Sequence, residues 1–180
     1  MRIISGKYKG KIISPPAGLG VRPTTDFAKT GLFNILNNHF NFEDVSVLDI
    51  FCGSGSITYE FLSRGCSNII AVDKNFNCIK FIREFVKGLN ENRVKIVCHD
   101  AFKLVAASTE QFDIVFADPP YAMKEVESLP DLIFNKKILT PNAWFILEHR
   151  DNLSFDQHPF FKERRTYGNV SFSIFVNTEN

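Results

Sequence analysis

Short apolar runs alternate with amphipathic segments through most of the 180-residue chain. Apolar runs of about four to eight residues bounded by turn residues are typical of buried strands, whereas apolar positions at helical spacing indicate helices. We predict strands near residues 45–50, 68–73, 94–98, 112–117 and 143–148. Helices are predicted near residues 56–64, 75–88, 101–107 and 125–136. Strands that alternate with helices indicate a parallel sheet with helices on both faces.

The C-terminal region departs from this alternation. Residues 160–166 and 170–176 are both strand-like, and Tyr167-Gly168-Asn169 between them is a turn sequence. Consecutive strands joined by a short turn pair in an antiparallel manner. The expected fold class is therefore α/β, with a Rossmann-like sheet that is mostly parallel and ends in an antiparallel hairpin.

The N-terminal region also lies outside the alternating pattern. Residues 2–14 predict a β-hairpin that turns through residues 6–8, and the proline- and glycine-rich stretch 15–20 breaks regular structure. Thr25 or Asp26 can then cap a helix that ends near residue 38. The fold is therefore expected to carry an N-terminal β-hairpin extension.

Size and composition set the domain organisation. A chain of 180 residues with 44% hydrophobic content can bury one core. We predict a basic hairpin or arm over residues 1–24 and one domain over residues 25–180. No apolar run suits a membrane span or a signal peptide, so a cytoplasmic protein is expected, and we expect a monomer. The four cysteines lack metal-binding spacing and are expected to be reduced.

The net charge of +1 conceals an uneven distribution. Residues 1–30 hold six basic side chains and one acidic side chain, a net charge of +5, whereas the rest holds 15 basic and 19 acidic side chains, a net charge of −4. A basic arm on a mildly acidic body suggests contact with a polyanion. Lysines that protect the exposed edge of a hairpin are the alternative interpretation.

The sequence Asp118-Pro119-Pro120-Tyr121 directly follows a predicted buried strand. A Pro-Pro unit cannot extend the strand and fixes its carbonyl groups in space. The Asp118 carboxylate and the Pro119 carbonyl can accept hydrogen bonds from an NH2 group, while Tyr121 stacks on a ring. These groups suit a planar heterocycle with an exocyclic amine, although a plain strand-ending turn is the alternative.

A second candidate site follows the first strand of the alternating region. The run 45–51 leads into Cys52-Gly53-Ser54-Gly55 and then a helix, which is the start of a nucleotide-binding unit. Asp73 ends the next strand, 20 residues after Gly53, where such folds place the acid that binds ribose hydroxyls. The third glycine of the dinucleotide fingerprint is absent, because residue 58 is Thr. With Asp49 nearby, the loop favours a ligand with an amino-acid end over a pyrophosphate.

These motifs, in this order, resemble those of S-adenosylmethionine-dependent amino-methyltransferases. The matching stretches are Asp49 to Gly55, Val72-Asp73, His99-Asp100-Ala101 and Asp118 to Tyr121. The N-terminal stretches narrow the resemblance to the RsmD family, which methylates the exocyclic N2 of one guanine in 16S ribosomal RNA. Those stretches are Met1 to Lys11, Arg22 to Asp26 and Gly31 to Leu36. The resemblance extends from Arg2 to about Val176, with one departure: the family usually has Glu where this chain has Thr30.

The resemblance implies a seven-stranded class I methyltransferase sheet. It further implies S-adenosylmethionine as cofactor, S-adenosylhomocysteine as product, and 16S ribosomal RNA or the assembling small ribosomal subunit as partner. The implied catalytic residues are Asp118, Pro119, Pro120 and Tyr121. The implied cofactor-binding residues are Asp49, Phe51, Cys52, Gly53, Ser54, Gly55, Asp73, Lys74, Asp100 and Ala101. The candidate RNA-binding residues are Arg2, Lys7, Lys9, Lys11, Arg22, Thr24 and Thr25.

The sequence leaves several alternatives open for the roles of individual residues and for the target of the reaction. Asp100 can bind the adenine amine, cap the next helix, or do both. Glu148 and His149 are neighbours on a predicted strand and point to opposite faces, so no metal site is expected. The target could instead be the N6 of adenine in RNA or DNA, or a glutamine amide, for which Asn more often replaces Asp118. A non-catalytic RNA-binding assembly factor with a vestigial pocket is the alternative from another class.

Overall fold

A computed structural model of the protein describes residues 1–20 and 24–179. Within these residues the strands are β1 Ser46–Ile50, β2 Asn68–Asp73, β3 Val94–Cys98, β4 Phe112–Ala117, β5 Leu139–His149, β6 Phe161–Tyr167 and β7 Val170–Val176. The helices are α1 Asp26–Asn37, α2 Ser56–Arg64, α3 Phe76–Gly88, α4 Ala101–Ala107 and α5 Leu129–Asn135. Every strand and helix predicted from the alternating pattern is present.

The seven strands form one sheet with the order β3-β2-β1-β4-β5-β7-β6. The strands β3, β2, β1, β4 and β5 are parallel, and β7 pairs in an antiparallel manner with β5 and β6. Ile50 lies opposite both Val72 and Ala117. The chain therefore leaves β1, β2 and β4 at the same level of the sheet. The predicted Rossmann-like, seven-stranded class I methyltransferase sheet with a C-terminal antiparallel hairpin is confirmed.

Two hydrophobic clusters cover the two faces of the sheet. Neighbouring residues of one strand point to opposite faces, so Val47 belongs to the first cluster and Leu48 to the second. Residues of α1, α2 and α3 complete the first cluster, which includes Leu32, Phe61 and Ile79. Residues of α4 and α5 complete the second cluster. This layering leaves the strand ends as the place where loops can build a site.

Two predicted boundaries need correction. The helix expected at residues 125–136 is split into a 3-10 helix, Lys124–Ser128, and α5. Pro130 lies in the first turn of α5, where a proline is tolerated because its nitrogen carries no hydrogen to donate. The strand expected at residues 143–148 begins at Leu139, since an irregularity in its pairing with β4 accommodates the extra residues.

The predicted N-terminal β-hairpin is also corrected. Among the described residues the segment forms one isolated antiparallel bridge, between Arg2 and Ile12, instead of two strands. The backbone bonds Met1–Ile13 and Ile3–Lys11 flank this bridge. The ladder ends there because the Lys11 N–H donates to the Tyr8 carbonyl at 3.1 Å instead of crossing to Ile3. The Ile4 N–H donates to the Glu60 carboxylate at 2.8 Å, and the Tyr8 N–H donates to the Ser63 hydroxyl at 2.9 Å. The segment 1–20 is therefore irregular and lies against the domain.

Two sequence expectations depend on which residues the structure describes. Arg22, a candidate RNA-binding residue, lies outside the described residues, as do Val21 and Pro23. No helix in the ranges 1–20 and 24–179 is long and apolar enough to cross a membrane.

Candidate active site

A cavity of about 310 Å³ lies where the chain leaves β1, β2 and β4. Its volume is in the range of small-molecule sites, roughly 300–1,000 Å³. The lining includes all four predicted catalytic residues and seven of the ten predicted cofactor residues. The lining residues are Gly20, Thr24, Asp49, Phe51, Cys52, Gly53, Ser54, Ser56, Ile57, Asp73, Lys74, Phe116, Asp118, Pro119, Pro120 and Tyr121.

The loop between β1 and α2 has an unusual backbone. Phe51 has a φ angle of 64°, a region that costs a non-glycine residue about 1–3 kcal/mol and that recurs at functional sites. The Cys52 N–H donates to the Val72 carbonyl at 2.9 Å, which ties the loop to β2. Gly55 has a φ of 85°, and a Cβ atom there would lie 2.7 Å from the Tyr59 ring. The loop thus needs glycine at residue 55 even though Gly55 is outside the cavity lining.

Asp73 is held in one orientation by the backbone of two loops. Its Oδ2 accepts from the Gly53 N–H at 2.8 Å, and its Oδ1 accepts from the Asn75 N–H at 2.8 Å. Each carboxylate oxygen can accept a second hydrogen bond. The carboxylate is therefore positioned to bind a pair of hydroxyl groups inside the cavity.

Asp49 is buried beneath the same loop, with 1% of its surface exposed. Burial, together with the negative charges of Asp73 and Glu148, raises the pKa of its carboxyl group to about 7. A hydrogen bond from the Thr58 hydroxyl, at 2.5 Å, opposes this shift because it favours the ionised form. A positively charged group in the cavity would likewise favour the ionised form of Asp49.

Asp118 follows β4 and is half-buried at the wall of the cavity. Burial raises the pKa of its carboxyl group well above the ordinary value, and the negative charges of Glu148 and Asp49 raise it further. Glu148 is 2% exposed, and its Oε2 accepts a hydrogen bond from the Thr24 hydroxyl at 2.9 Å. Three carboxyl groups therefore interact here, and such an environment attracts a cation or a group that becomes positively charged.

Tyr121 forms an exposed aromatic wall of the cavity, with 39% of its surface accessible. Pro119 is buried and Pro120 is exposed beside it. The guanidinium of Arg150, which follows β5, lies over the Tyr121 ring with its Cζ atom 4.5 Å from the centroid. An aromatic ring, two prolines and an acceptor carboxylate therefore meet at one side of the cavity.

Three predicted cofactor residues are outside the cavity lining within the described part of the chain: Gly55, Asp100 and Ala101. Asp100 is the N-cap of α4, and its Oδ1 accepts from the Lys103 N–H at 3.0 Å. Ala101 is buried at the start of the same helix. The capping interpretation of Asp100 is confirmed, and its contact with an adenine amine stays a prediction.

The candidate RNA-binding residues of the described structure differ in their contacts. Arg2 pairs with Asp26 at 2.9 Å, and Lys7 pairs with Glu91 at 2.9 Å. Lys9 and Lys11 are exposed.

Thr25 caps α1 by accepting a hydrogen bond from the Ala28 N–H at 3.2 Å, whereas Thr24 lines the cavity. Thr30, where the RsmD family usually has Glu, is exposed on α1. Its hydroxyl donates to the Asp26 carbonyl at 2.7 Å, so its contact is with its own helix.

The cavity also contains residues that sequence reasoning did not select. Ser56 and Ile57 directly follow the glycine loop, and their position at the start of α2 could have indicated them. The Thr24–Glu148 hydrogen bond joins residues 124 positions apart, for which no local sequence signal exists.

One polar atom tests whether the cavity fits the implied cofactor. The Ser56 hydroxyl is buried and has no hydrogen-bond partner among the described residues. Buried polar groups in folded proteins are normally hydrogen-bonded, so this hydroxyl indicates that a ligand or water completes the site. With the Asp73 and Asp49 carboxylates in the same lining, the donor and acceptor set fits a nucleoside joined to an amino acid. In residues 1–20 and 24–179 no cluster of three or more His, Cys, Asp or Glu side chains could hold a metal ion.

Known proteins resemble this chain over nearly its whole length. YlbH of Bacillus subtilis is 30% identical and is matched over 97% of this chain and 98% of its own. The ribosomal RNA small subunit methyltransferase D of Haemophilus influenzae is 28% identical, over 98% of this chain and 94% of its own. The solved structure of the Escherichia coli methyltransferase yhhF has a TM-score of 0.87 at 24% identity, over 100% of this chain and 99% of its own, which establishes the shared fold. Residues 1–176 match the family described as conserved hypothetical protein 95, and the chain therefore belongs to this RsmD-like family.

Proposed function

We propose that this protein transfers a methyl group from S-adenosylmethionine to the exocyclic N2 amine of a guanine in 16S ribosomal RNA. The observation that carries the proposal is that the Asp118-Pro119-Pro120-Tyr121 motif and the Asp49 and Asp73 carboxylates line one cavity. The register of β1, β2 and β4 brings them together. Family membership and the names of the matched relatives support the same reaction class.

The cofactor half of the cavity is formed by the β1–α2 loop and by Asp73. Asp73 would accept hydrogen bonds from the two ribose hydroxyls, because the loop backbone fixes its orientation. Asp49 would stabilise the ammonium of the amino-acid end, and the unpartnered Ser56 hydroxyl would complete the contacts. The bound cofactor supplies an electrophilic methyl group on a sulfonium. Adenine binding by Asp100 and Ala101 stays part of the proposal.

The target half of the cavity is formed by residues 118–121. The lone pair of an exocyclic amine is delocalised into the base, so the amine is a weak nucleophile. The Asp118 carboxylate and the Pro119 carbonyl would accept its two N–H groups, which stabilises the positive charge that develops on nitrogen. Alignment against the methyl group contributes further acceleration. The nitrogen–carbon bond forms as the sulfur–carbon bond breaks, and the methylated amine then releases a proton.

The base must leave its stack to reach this cavity, because the groups that hold its amine lie at the cavity wall. Tyr121 would stack on the splayed base through its exposed ring. Residues 1–24 would act as the RNA-binding arm of the domain 25–180, through the exposed Lys9 and Lys11 and the paired Arg2 and Lys7. The proposed partner is 16S ribosomal RNA or the assembling small subunit.

A transfer assay with methyl-labelled S-adenosylmethionine tests the proposal. The substrates are naked 16S RNA and small subunits from a strain that lacks the modification, with ribosomal proteins as a third arm. Label in the RNA, in either form, is the expected result. Label only in protein would favour glutamine methylation, and RNA binding without label would favour the non-catalytic assembly factor. Cofactor binding is checked in parallel by calorimetry with S-adenosylhomocysteine.

A further inference from the structure

The geometry points to a phosphate-binding side chain at the rim of the cavity: Arg150 binds a backbone phosphate of the nucleotide whose base enters the cavity. This inference rests on the proposed function, because it requires an RNA substrate.

The position of Arg150 follows from the register of the sheet. Ala117 of β4 lies opposite Leu147 of β5, so the residues that follow the two strands emerge side by side. Tyr121 and Arg150 are four and three residues beyond this pair. The Arg150 guanidinium lies 4.5 Å from the centroid of the Tyr121 ring, well inside the range of a cation–π contact, about 6 Å.

A buried histidine fixes the backbone at this point. His149 is 2% exposed, and its Nδ1–H donates to the Arg150 carbonyl at 2.6 Å. Its Nε2 then accepts from the Ser173 hydroxyl at 2.8 Å, which is the arrangement of a neutral imidazole. Burial lowers the pKa of His149, and the nearby Arg164 charge lowers it further, so the neutral form is favoured. The main chain of Arg150 is therefore anchored while its side chain extends to the cavity rim.

The charge of Arg150 has no compensating carboxylate among the described residues. The carboxylate next to it in sequence, Asp151, pairs with Arg164 and also accepts from the Ser171 hydroxyl at 3.4 Å. Arg150 is exposed. An exposed arginine without a carboxylate partner is available to bind an anion.

The contact with Tyr121 also suits phosphate binding. Stacking uses the face of the guanidinium and leaves its N–H donors, which lie in the plane, free to form a bidentate pair with phosphate oxygens. A cation–π contact at an exposed site contributes only about 0.5–1 kcal/mol to stability. The contact therefore orients the guanidinium beside the ring proposed to hold the base, and it adds little to folding.

Three variants test the inference: Arg150→Gln, Arg150→Lys and, as a matched control, Arg83→Gln. Arg83 is an exposed arginine on α3, outside the cavity lining, whose guanidinium donates to the Ile96 carbonyl at 3.0 Å. Arg150→Gln should raise the KM for RNA about tenfold while kcat changes less than about twofold, as expected for one charge-assisted bond. It should also reduce, by about 0.7, the steepness with which the logarithm of the RNA-binding constant falls with the logarithm of the salt concentration. Arg150→Lys should leave this slope unchanged, because lysine retains the positive charge. Arg83→Gln should change neither quantity.

The outcomes separate this inference from the proposed function. If the wild type methylates RNA and Arg150→Gln matches Arg83→Gln in KM and slope, the phosphate contact is refuted and the proposed function stands. If the wild type methylates no RNA, the proposed function fails, and the salt slope of RNA binding alone decides the role of Arg150. Unchanged affinity for S-adenosylhomocysteine and an unchanged unfolding midpoint show that each variant is folded. If Arg150→Gln does not fold, a flattened salt slope in Arg150→Lys would refute the contact.

Discussion

The cavity and the N-terminal segment 1–20 are held in place by different kinds of contact. At the cavity, the ends of β1, β2 and β4 are aligned by backbone pairing, with Ile50 opposite both Val72 and Ala117. The N-terminal segment is anchored instead by side chains of α2 and by burial of Ile3 and Ile13 in the core. Contacts made by strand pairing follow from sequence pattern, whereas contacts to a distant helix do not.

The difference extends to charge. The cavity contains interacting carboxyl groups, and the pKa values of Asp49 and Asp118 are raised. The N-terminal segment presents exposed lysines, including Lys9 and Lys11. The molecule thus separates an acidic site, proposed for the chemistry, from a basic surface, proposed for RNA capture. If the two regions are independent, a substitution in one should leave the function of the other unchanged.

The largest expected effect is on stability and concerns the anchor of the N-terminal segment. Glu60 is fully buried, pairs with Lys29 and Arg64, and accepts the Ile4 N–H. Glu60→Ala leaves the Lys29 charge buried without this carboxylate and should lower the free energy of unfolding by about 3–5 kcal/mol. Urea denaturation measures the change.

The matched control is Glu84→Ala, which removes an exposed helical carboxylate 4.0 Å from Lys80. It should change the free energy of unfolding by less than about 0.5 kcal/mol. Equal effects of the two substitutions would mean that the Glu60 network does not anchor the segment.

The next effect concerns the target half of the cavity. Asp118→Ala removes the carboxylate proposed to hold the amine, so the methyl-transfer rate should fall by about 100- to 1,000-fold. The affinity for S-adenosylhomocysteine should stay within a few fold, because the cofactor contacts are elsewhere. Single-turnover kinetics and calorimetry measure the two quantities. Retention of more than half of the rate would refute the amine-binding role.

Asp73→Ala is the complementary change in the cofactor half. Removal of the carboxylate proposed to bind the ribose should weaken S-adenosylhomocysteine binding by about 1–3 kcal/mol. Saturating cofactor should restore much of the methyl-transfer rate, since the target half is intact. Binding as tight as that of the wild type would place the ribose elsewhere.

A smaller effect is expected from the basic surface. Lys9→Ala combined with Lys11→Ala should flatten the salt dependence of RNA binding by about 1.4 in a log–log plot, at about 0.7 for each phosphate that the protein no longer neutralises. Lys7→Ala should change the slope less, because Glu91 already pairs with Lys7. Cofactor affinity should be unchanged in both variants. A slope unaffected by the double substitution would exclude these two lysines from contact with phosphate.

The smallest expected effect is the release of a fraction of a proton when the cofactor binds. The pKa of Asp49 is about 7 in the free protein, so at pH 7 about half of the molecules carry a proton there. A cofactor ammonium beside Asp49 favours the ionised form and lowers this pKa, so binding at pH 7 should release up to about half a proton. Calorimetry in two buffers of different ionisation enthalpy measures the release. Asp49→Asn should abolish this contribution, and an identical release in that variant would exclude Asp49 as its source.

Sequence reasoning predicted the parts of the structure that depend on local pattern. The positions of Asp73 and Asp118 at strand ends follow from apolar runs and parallel pairing. The Thr24–Glu148 bond and the Arg150–Tyr121 contact bring together groups far apart in sequence, and no periodicity encodes them. The two predicted strands of the N-terminal hairpin are reduced to one bridge because the Lys11 N–H donates to the Tyr8 carbonyl instead of crossing to Ile3.

The most direct test of the proposed reaction is the identity of the methylated nucleoside. Small-subunit RNA is reacted with methyl-labelled S-adenosylmethionine and the purified protein, digested to nucleosides and analysed by mass spectrometry, with Asp118→Ala as the control. The proposed reaction predicts labelled N2-methylguanosine with the wild type and almost none with the variant. Labelled N6-methyladenosine in place of N2-methylguanosine would contradict the proposed reaction, and N2-methylguanosine that forms equally well with Asp118→Ala would contradict the role of Asp118.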